Sequence, residues 1–144
     1  MKADVMTEAA VKAVLDKVAE GYAKRNMALL LAAFAPDPDV VVYGTGADEK
    51  RIGLAELRAQ AERDWSQAEA TAVTYRWTSV SAAGSVAWVA TDAAFKVKSG
   101  GQEMTLQARI TFVLEKRGEE WLIVHSHFSF PASGQAEGEA FPTS

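Results

Sequence analysis

The sequence predicts an α+β fold in which a cone-shaped, strongly curved antiparallel sheet wraps around three N-terminal helices. Three observations carry this. Apolar residues recur at helical spacing over the first half of the chain, ending near Ala68. From Ala70 onward the period changes to strict alternation, the signature of strands with one buried face. Glycines punctuate that alternating half where hairpins must turn. Segregated helices followed by an antiparallel meander define the α+β class, and a long sheet with helices on one side only curls around them.

Thr7 followed by Glu8 reads as the start of the first helix. Val11, Val14, Leu15, Val18 and Tyr22 then form one apolar stripe on a charged rod, with Gly21 near its end. Asn26 can cap a second helix, Met27 to Phe34, and Pro36 and Pro38 stop it. A short strand follows at Val40 to Tyr43, then a polar, glycine-containing loop from Gly44 to Arg51. Gly53 leads into a third helix, Leu54 to about Ala68, with Leu54, Leu57, Ala61 and Trp65 on related faces. Four long strands are expected at about 70–82, 85–98, 103–115 and 120–130. Their turns fall at Ala82-Ala-Gly84, which suits a three-residue loop with glycine in the left-handed position, at Ser99-Gly-Gly-Gln102 and at Arg117-Gly-Glu119. A single domain over residues 1–131 accounts for the pattern, and 132–144 reads as a flexible tail.

A chain of 144 residues is the size of one domain that needs no covalent staples. Cysteine is absent, which excludes disulfides, thiolate metal sites and cysteine nucleophiles. Nineteen acidic and 15 basic side chains leave a net charge of -4 with no basic stretch, so nucleic acid and anionic membrane are poor partners. No signal-peptide core or membrane-length apolar run occurs, and a cytoplasmic location is expected. Gly44-Thr-Gly46 lacks the rest of a phosphate loop. There is no Gly-x-Ser-x-Gly elbow and no dinucleotide fingerprint, so no cofactor is expected.

Both histidines lie in the last strand, Trp121-Leu-Ile-Val-His-Ser-His-Phe-Ser129. Two residues apart in an extended segment, His125 and His127 share a face with Trp121 and Ile123. The apolar even set of the preceding strand, from Met104 to Leu114, must meet the core. If the last turn has an even loop, Phe112 and Ile110 lie opposite His125 and His127, on the concave side. Through the other turns Phe95, Ala93, Thr91 and Val89 join them, with Tyr75 and Trp77. This inner set contains no arginine. The opposite face would carry Asp92, Arg109, Ser126, Trp88, Val113, Val124 and Phe128, too apolar for a solvated surface, so a second copy covering it is expected.

His127 and His125 are therefore the candidate acid–base groups, since a buried neutral imidazole can both give and accept a proton. The alternative is that they simply complete the core. Two histidines on one strand without a third ligand make no metal site. Tyr43, Trp65, Tyr75, Trp77, Thr91 and Phe112 are candidate lining for a bound molecule, or plain core packing. Asp92 and Arg109 can form a cross-strand ion pair, and become alternative pocket residues if one turn differs by a residue.

Two segments carry a family resemblance, Gln107-Ala-Arg-Ile-Thr-Phe-Val-Leu-Glu-Lys116 and Trp121-Leu-Ile-Val-His-Ser-His-Phe-Ser129. Together they resemble the SnoaL-like branch of the nuclear transport factor 2-like superfamily. The Trp-x-Ile-x-His-x-His run is also similar to the association domain of calcium/calmodulin-dependent protein kinase. The resemblance implies a cystatin-like α+β barrel, an internal pocket, and a homodimer through the sheet. Relatives include ketosteroid isomerases, polyketide cyclases and dehydratases, besides non-catalytic assembly domains. Isomerase relatives use an aspartate base with a tyrosine–acid oxyanion site, a set with no residue-by-residue match in this sequence. The expected function is a pocket for a small, largely apolar organic molecule, with or without cofactor-free isomerase, cyclase or dehydratase chemistry. The alternative is a non-catalytic dimerisation or partner-binding module.

Overall fold

The structure, a computed structural model, describes residues 1–143. Helix α1 (Val5–Ala23) starts two residues before the expected Thr7, because Asp4 is the residue that caps it and accepts from the Thr7 amide at 2.8 Å. Val11, Val14, Leu15 and Val18 are its buried stripe. Asn26 caps α2 (Met27–Ala32), accepting from the Leu29 amide at 3.1 Å. Gly21 allows the two helices to touch: a Cβ there would lie 2.7 Å from the Leu30 nitrogen.

Strand β1 (Val41–Tyr43) follows the prolines, and β2 (Lys50–Ile52) returns antiparallel to it. Strand β2 falls inside the stretch expected as a polar loop, since three residues with alternating burial carry little apolar signal. Helix α3 (Leu54–Ser66) buries Leu57 and Ala61. Strands β3 (Ala70–Ala83), β4 (Val86–Ser99), β5 (Gln102–Arg117) and β6 (Glu120–Ser129) form the expected meander.

The six strands lie in the order β2-β1-β6-β5-β4-β3, and only β1 and β6 are parallel. The edges β2 and β3 do not pair with each other, so the sheet stays open. Phe112, Leu114, Ile123 and Val89, all at 0% exposure, meet Val11 and Leu15 of α1 in the core beneath the helices.

Two bulges set which side chains face inward. The last hairpin has an even loop, pairing Arg117 with Glu120 and Leu114 with Ile123. Continued unbroken, that register would place His125 opposite Phe112. Instead Val124 is an extra residue, and the ladder resumes with Val113 opposite His125 and Phe112 opposite Ser126. The bulge falls where the other neighbour of β6 changes. Ile123 bonds to Ala33 and Ala35, whereas 125–127 pair with β1, with the proline-bearing connection between. In β3 the register shifts between Tyr75, opposite Ala93, and Thr78, opposite Thr91. Tyr75 therefore faces in and Trp77 faces out.

Candidate functional site

A cavity of about 350 Å³ opens between the helices and the inner face of the sheet. Its apolar wall comes from Leu30 and Phe34, from Val73 and Tyr75 on β3, from Phe95 and Leu106, and from Phe128 on β6. The aromatics interlock: Phe112 stands edge-on to both Tyr75 and Phe128, and Phe128 leans on Phe95 at 6.2 Å. Tyr75 spends its hydroxyl on the Leu15 carbonyl at 3.0 Å.

Against that wall stands one polar line. Gln60 and Asp64 project from α3 at i, i+4 spacing, beside the buried Leu57 and Ala61, and Tyr22 reaches them from the end of α1. The Tyr22 hydroxyl donates to Asp64 Oδ2 at 2.8 Å, and Gln60 Nε2 donates to Asp64 Oδ1 at 2.7 Å. Burial is the main reason the Asp64 carboxyl is pushed above the ordinary carboxylate range, with the two hydrogen bonds opposing it and the nearby Glu49 charge adding to it. Burial, reinforced by Asp64 itself, also pushes the Tyr22 hydroxyl well above its usual range, so it stays protonated and acts as a donor.

The supports of this line lie outside the cavity. Trp65 packs on Tyr22 with ring centroids 6.1 Å apart, and its indole donates to the Tyr22 carbonyl at 3.0 Å. Arg25 takes a left-handed conformation (φ 55°) and aims its guanidinium at the carbonyls of Trp65 (2.7 Å) and Ala68. The α1–α2 corner is thus clipped to the C-terminal end of α3, fixing the height of Tyr22 against Asp64. Arg63 binds Asp48 and Glu49 at 2.7 and 3.0 Å, closing the β1–β2 loop over the mouth.

The predicted site residues divide. Tyr75 lines the cavity as expected. Phe112 is sealed in the core behind the aromatic wall, at 0% exposure. Trp65 supports Tyr22 from behind and forms no wall. Thr91 faces inward but its hydroxyl is taken up by the β3 bulge, bonding Thr78 Oγ1 at 2.8 Å and the Trp77 carbonyl at 3.0 Å. The expectation that both imidazoles look into the cavity is corrected by the Val124 bulge: His125 and His127 stand on the outer face, and Ser126 and Phe128 take the inner positions. Trp77 is outside because the first hairpin closes over two residues, pairing Ala83 with Val86, and that register puts Thr78 and Val80 on the inner face; the shift beyond Thr78 then returns Tyr75 to it. Tyr43 is outside because Val42 is the inward residue of β1.

These outer residues do gather. A hollow of about 490 Å³ on the exterior of the sheet is lined by Trp77, Asp92, Arg109, Thr111, His125 and His127. His125 Nδ1 donates to the Val41 carbonyl at 2.7 Å, and His127 lies 5.0 Å from the Tyr43 ring. Asp92 and Arg109 are cross-strand partners, yet no ion pair joins them among the described residues. No group of three or more metal-binding side chains occurs among the described residues.

Asp64, Tyr22, Gln60 and Arg51 escaped the sequence reading. A usable signal existed for Gln60 and Asp64. Gln60 and Asp64 fall on the same helical stripe as Leu57 and Ala61, and a polar residue on a buried stripe needs a partner. Arg51 carried no such signal, because its inward direction depends on the unread β2. The expectation of an inner face without arginine is therefore also corrected.

No curated protein matches the chain. Among solved structures, a candidate calcium/calmodulin-dependent protein kinase II association domain from Xanthomonas campestris is 26% identical, with TM-score 0.75 over 85% of this chain and 86% of that one. A candidate scytalone dehydratase from Novosphingobium aromaticivorans superposes with TM-score 0.79 at 11% identity, covering 89% and 86% of the two chains. A type 2 hexachlorocyclohexane dehydrochlorinase gives TM-score 0.79 at 14% identity, covering 96% and 95%. The profile of the SnoaL-like domain matches residues 11–133, nearly the whole length of the helices and sheet. The chain belongs to the SnoaL-like domain family.

Proposed function

We propose that the cavity binds a small, largely apolar organic molecule and performs cofactor-free acid–base chemistry on it, with Asp64 as the base. The observation that carries this reading is a carboxylate destabilised by burial in an aromatic-walled cavity and held in place by Tyr22 and Gln60. A carboxylate in that setting is a stronger base than one in water. Beside a carbonyl compound, the C–H bond next to the carbonyl breaks, its proton passes to an Asp64 oxygen, and the electron pair moves onto the carbonyl oxygen. Returning the proton to another carbon gives isomerisation; loss of a β-hydroxyl, protonated as it leaves, gives dehydration. Tyr22, fixed as a donor, steadies the carboxylate throughout. Dehydratase and dehydrochlorinase assignments among the structural neighbours support this class of reaction.

The test is exchange of deuterium from solvent into enolisable cyclic ketones, followed by NMR. The wild-type protein should catalyse exchange, and Asp64→Asn should slow it by about 100-fold or more. Absence of exchange with every ketone tried, or an unimpaired Asp64→Asn variant, overturns the assignment.

The outer face supports a second reading, concerning assembly. Trp77 and Trp88 are 62% and 39% exposed there, and Tyr43 and Val86 are exposed on the same face. A homodimer through this face would cover them. Light scattering at micromolar concentration should give twice the chain mass, and Trp88→Ser should lower it; a strictly monomeric wild type contradicts this assembly.

A further inference from the structure

Arg51 brings into the cavity a guanidinium that the acid–base reading leaves unused. It pairs with Val42, the inward residue of β1, and so shares its face. Its Nε donates to Gln60 Oε1 at 2.8 Å, which joins it to the Gln60–Asp64–Tyr22 line. Among the described residues no carboxylate lies within ion-pair distance of it. Other half-buried arginines are neutralised: Arg63 by Asp48 and Glu49, Arg117 by Asp37 and Glu115. Glu49, the other acid at the cavity wall, is already engaged by Arg63.

Guanidinium has five N–H donors, and one of them is used here. The remainder include the terminal fork, whose geometry matches the two oxygens of a carboxylate. A cation at an aromatic-walled cavity, with Asp48 close enough only for a longer-range pull and no carboxylate in contact, is stabilised when a ligand supplies one. The rest of the cavity offers Tyr75, Phe95, Leu106 and Phe128 to an apolar body. Gln60 spaces the cation from the acid along one hydrogen-bonded line, so a ligand held at Arg51 by one end presents its next atoms toward Asp64.

We propose that the cavity selects small, mostly apolar carboxylates, with the carboxylate on the Arg51 fork and the hydrocarbon against the aromatic wall. The inference rests on the cavity being the binding site, as proposed above.

The probes are 2-naphthoate and its neutral counterpart 2-naphthalenemethanol, compared by calorimetry at pH 7. NMR cross-peaks to the Phe95 and Phe128 rings establish where each binds. Naphthoate should bind about tenfold tighter. Added salt should weaken naphthoate and leave the alcohol unaffected. Arg51→Met should abolish the difference, and Arg51→Lys should retain part of it. The salt series needs no variant, so it decides the matter even where Arg51→Met fails to fold. Equal affinities for the two probes, or a preference that survives Arg51→Met, overturn the role of Arg51 while leaving the cavity reading standing. Failure of both probes to contact Phe95 and Phe128 overturns both.

Discussion

The two faces of the sheet carry comparable polar equipment and treat it differently. On the inner face, Asp64 meets two donors at hydrogen-bond distance, Gln60 links it to Arg51, and an aromatic wall removes water from one side. On the outer face, Asp92 and Arg109 face each other without an ion pair, and His127 is exposed beside Tyr43. The residue types outside look more catalytic, since both histidines are there. Chemistry depends on environment more than on type. Enclosure is what displaces the Asp64 carboxyl from its ordinary value, and a connected set of partners is what holds it in one orientation.

Deleting Val124 breaks the contrast most severely. Without the extra residue the ladder runs straight from Leu114 opposite Ile123 to Val113 opposite His125 and the faces are kept, but β6 loses the bend by which it passes from Ala33 and Ala35 to β1, straining both pairings that hold the inner wall. We expect a loss of more than about 3 kcal/mol, read as failure to fold or as a large drop in urea midpoint. A deletion variant with wild-type stability would mean that β6 can pair with both segments without the bend at Val124.

Asp64→Asn sharpens the contrast from the other side. Because burial raises the folded-state pKa above the unfolded value near 3.8, the folded protein binds that proton more tightly. Stability therefore falls as pH rises through the window between the unfolded and folded values, and stays lower above it. Asn carries no charge and avoids this cost. The variant should melt at a higher temperature than wild type at pH 7, with the gain fading as the pH is taken below 3.8, although it loses exchange activity. A variant that melts lower at pH 7 would indicate that the hydrogen bonds outweigh desolvation.

Ser126 should give a smaller change. It sits at 0% exposure in the inner position that alternation alone would have assigned to a neighbour, and its hydroxyl has no partner among the described residues. Removing an unsatisfied buried hydroxyl at little cost in volume should make Ser126→Ala more stable by about 1 kcal/mol in chemical denaturation. His127→Ala marks the lower end. The exposed ring touches nothing in the cavity, so ketone exchange should stay within about twofold of wild type. A tenfold loss would return catalysis to the outer hollow.

Much of the architecture was legible because periodicity survives local irregularity. The capped helices, the four long strands and the places of the three hairpins follow from spacing and from glycines such as Gly100 and Gly101, whose φ values of 58° and 76° fit a two-residue turn; the first hairpin closes over two residues, one fewer than expected. Facing is less forgiving. One extra residue reverses every assignment beyond it, and neither Val124 nor the Arg76–Trp77 step differs in composition from the strand around it. Tyr75 faces the expected way and Trp77 does not, because the β3 register shift lies between Tyr75 and Thr78. The Tyr22–Asp64 pair joins residues 42 positions apart on two helices, which no local pattern records. Arg51 required knowing that a three-residue strand exists.

The extra residue in β6 also governs how knowledge can travel between relatives. In a homologue whose last strand runs without it, gap-free alignment would set an inward side chain in the same column as His125 and an outward one beside Ser126. Identical letters in such columns would denote different surroundings, and a role assigned to one would not belong to the other. Counting must restart at Val124 before any activity is carried across.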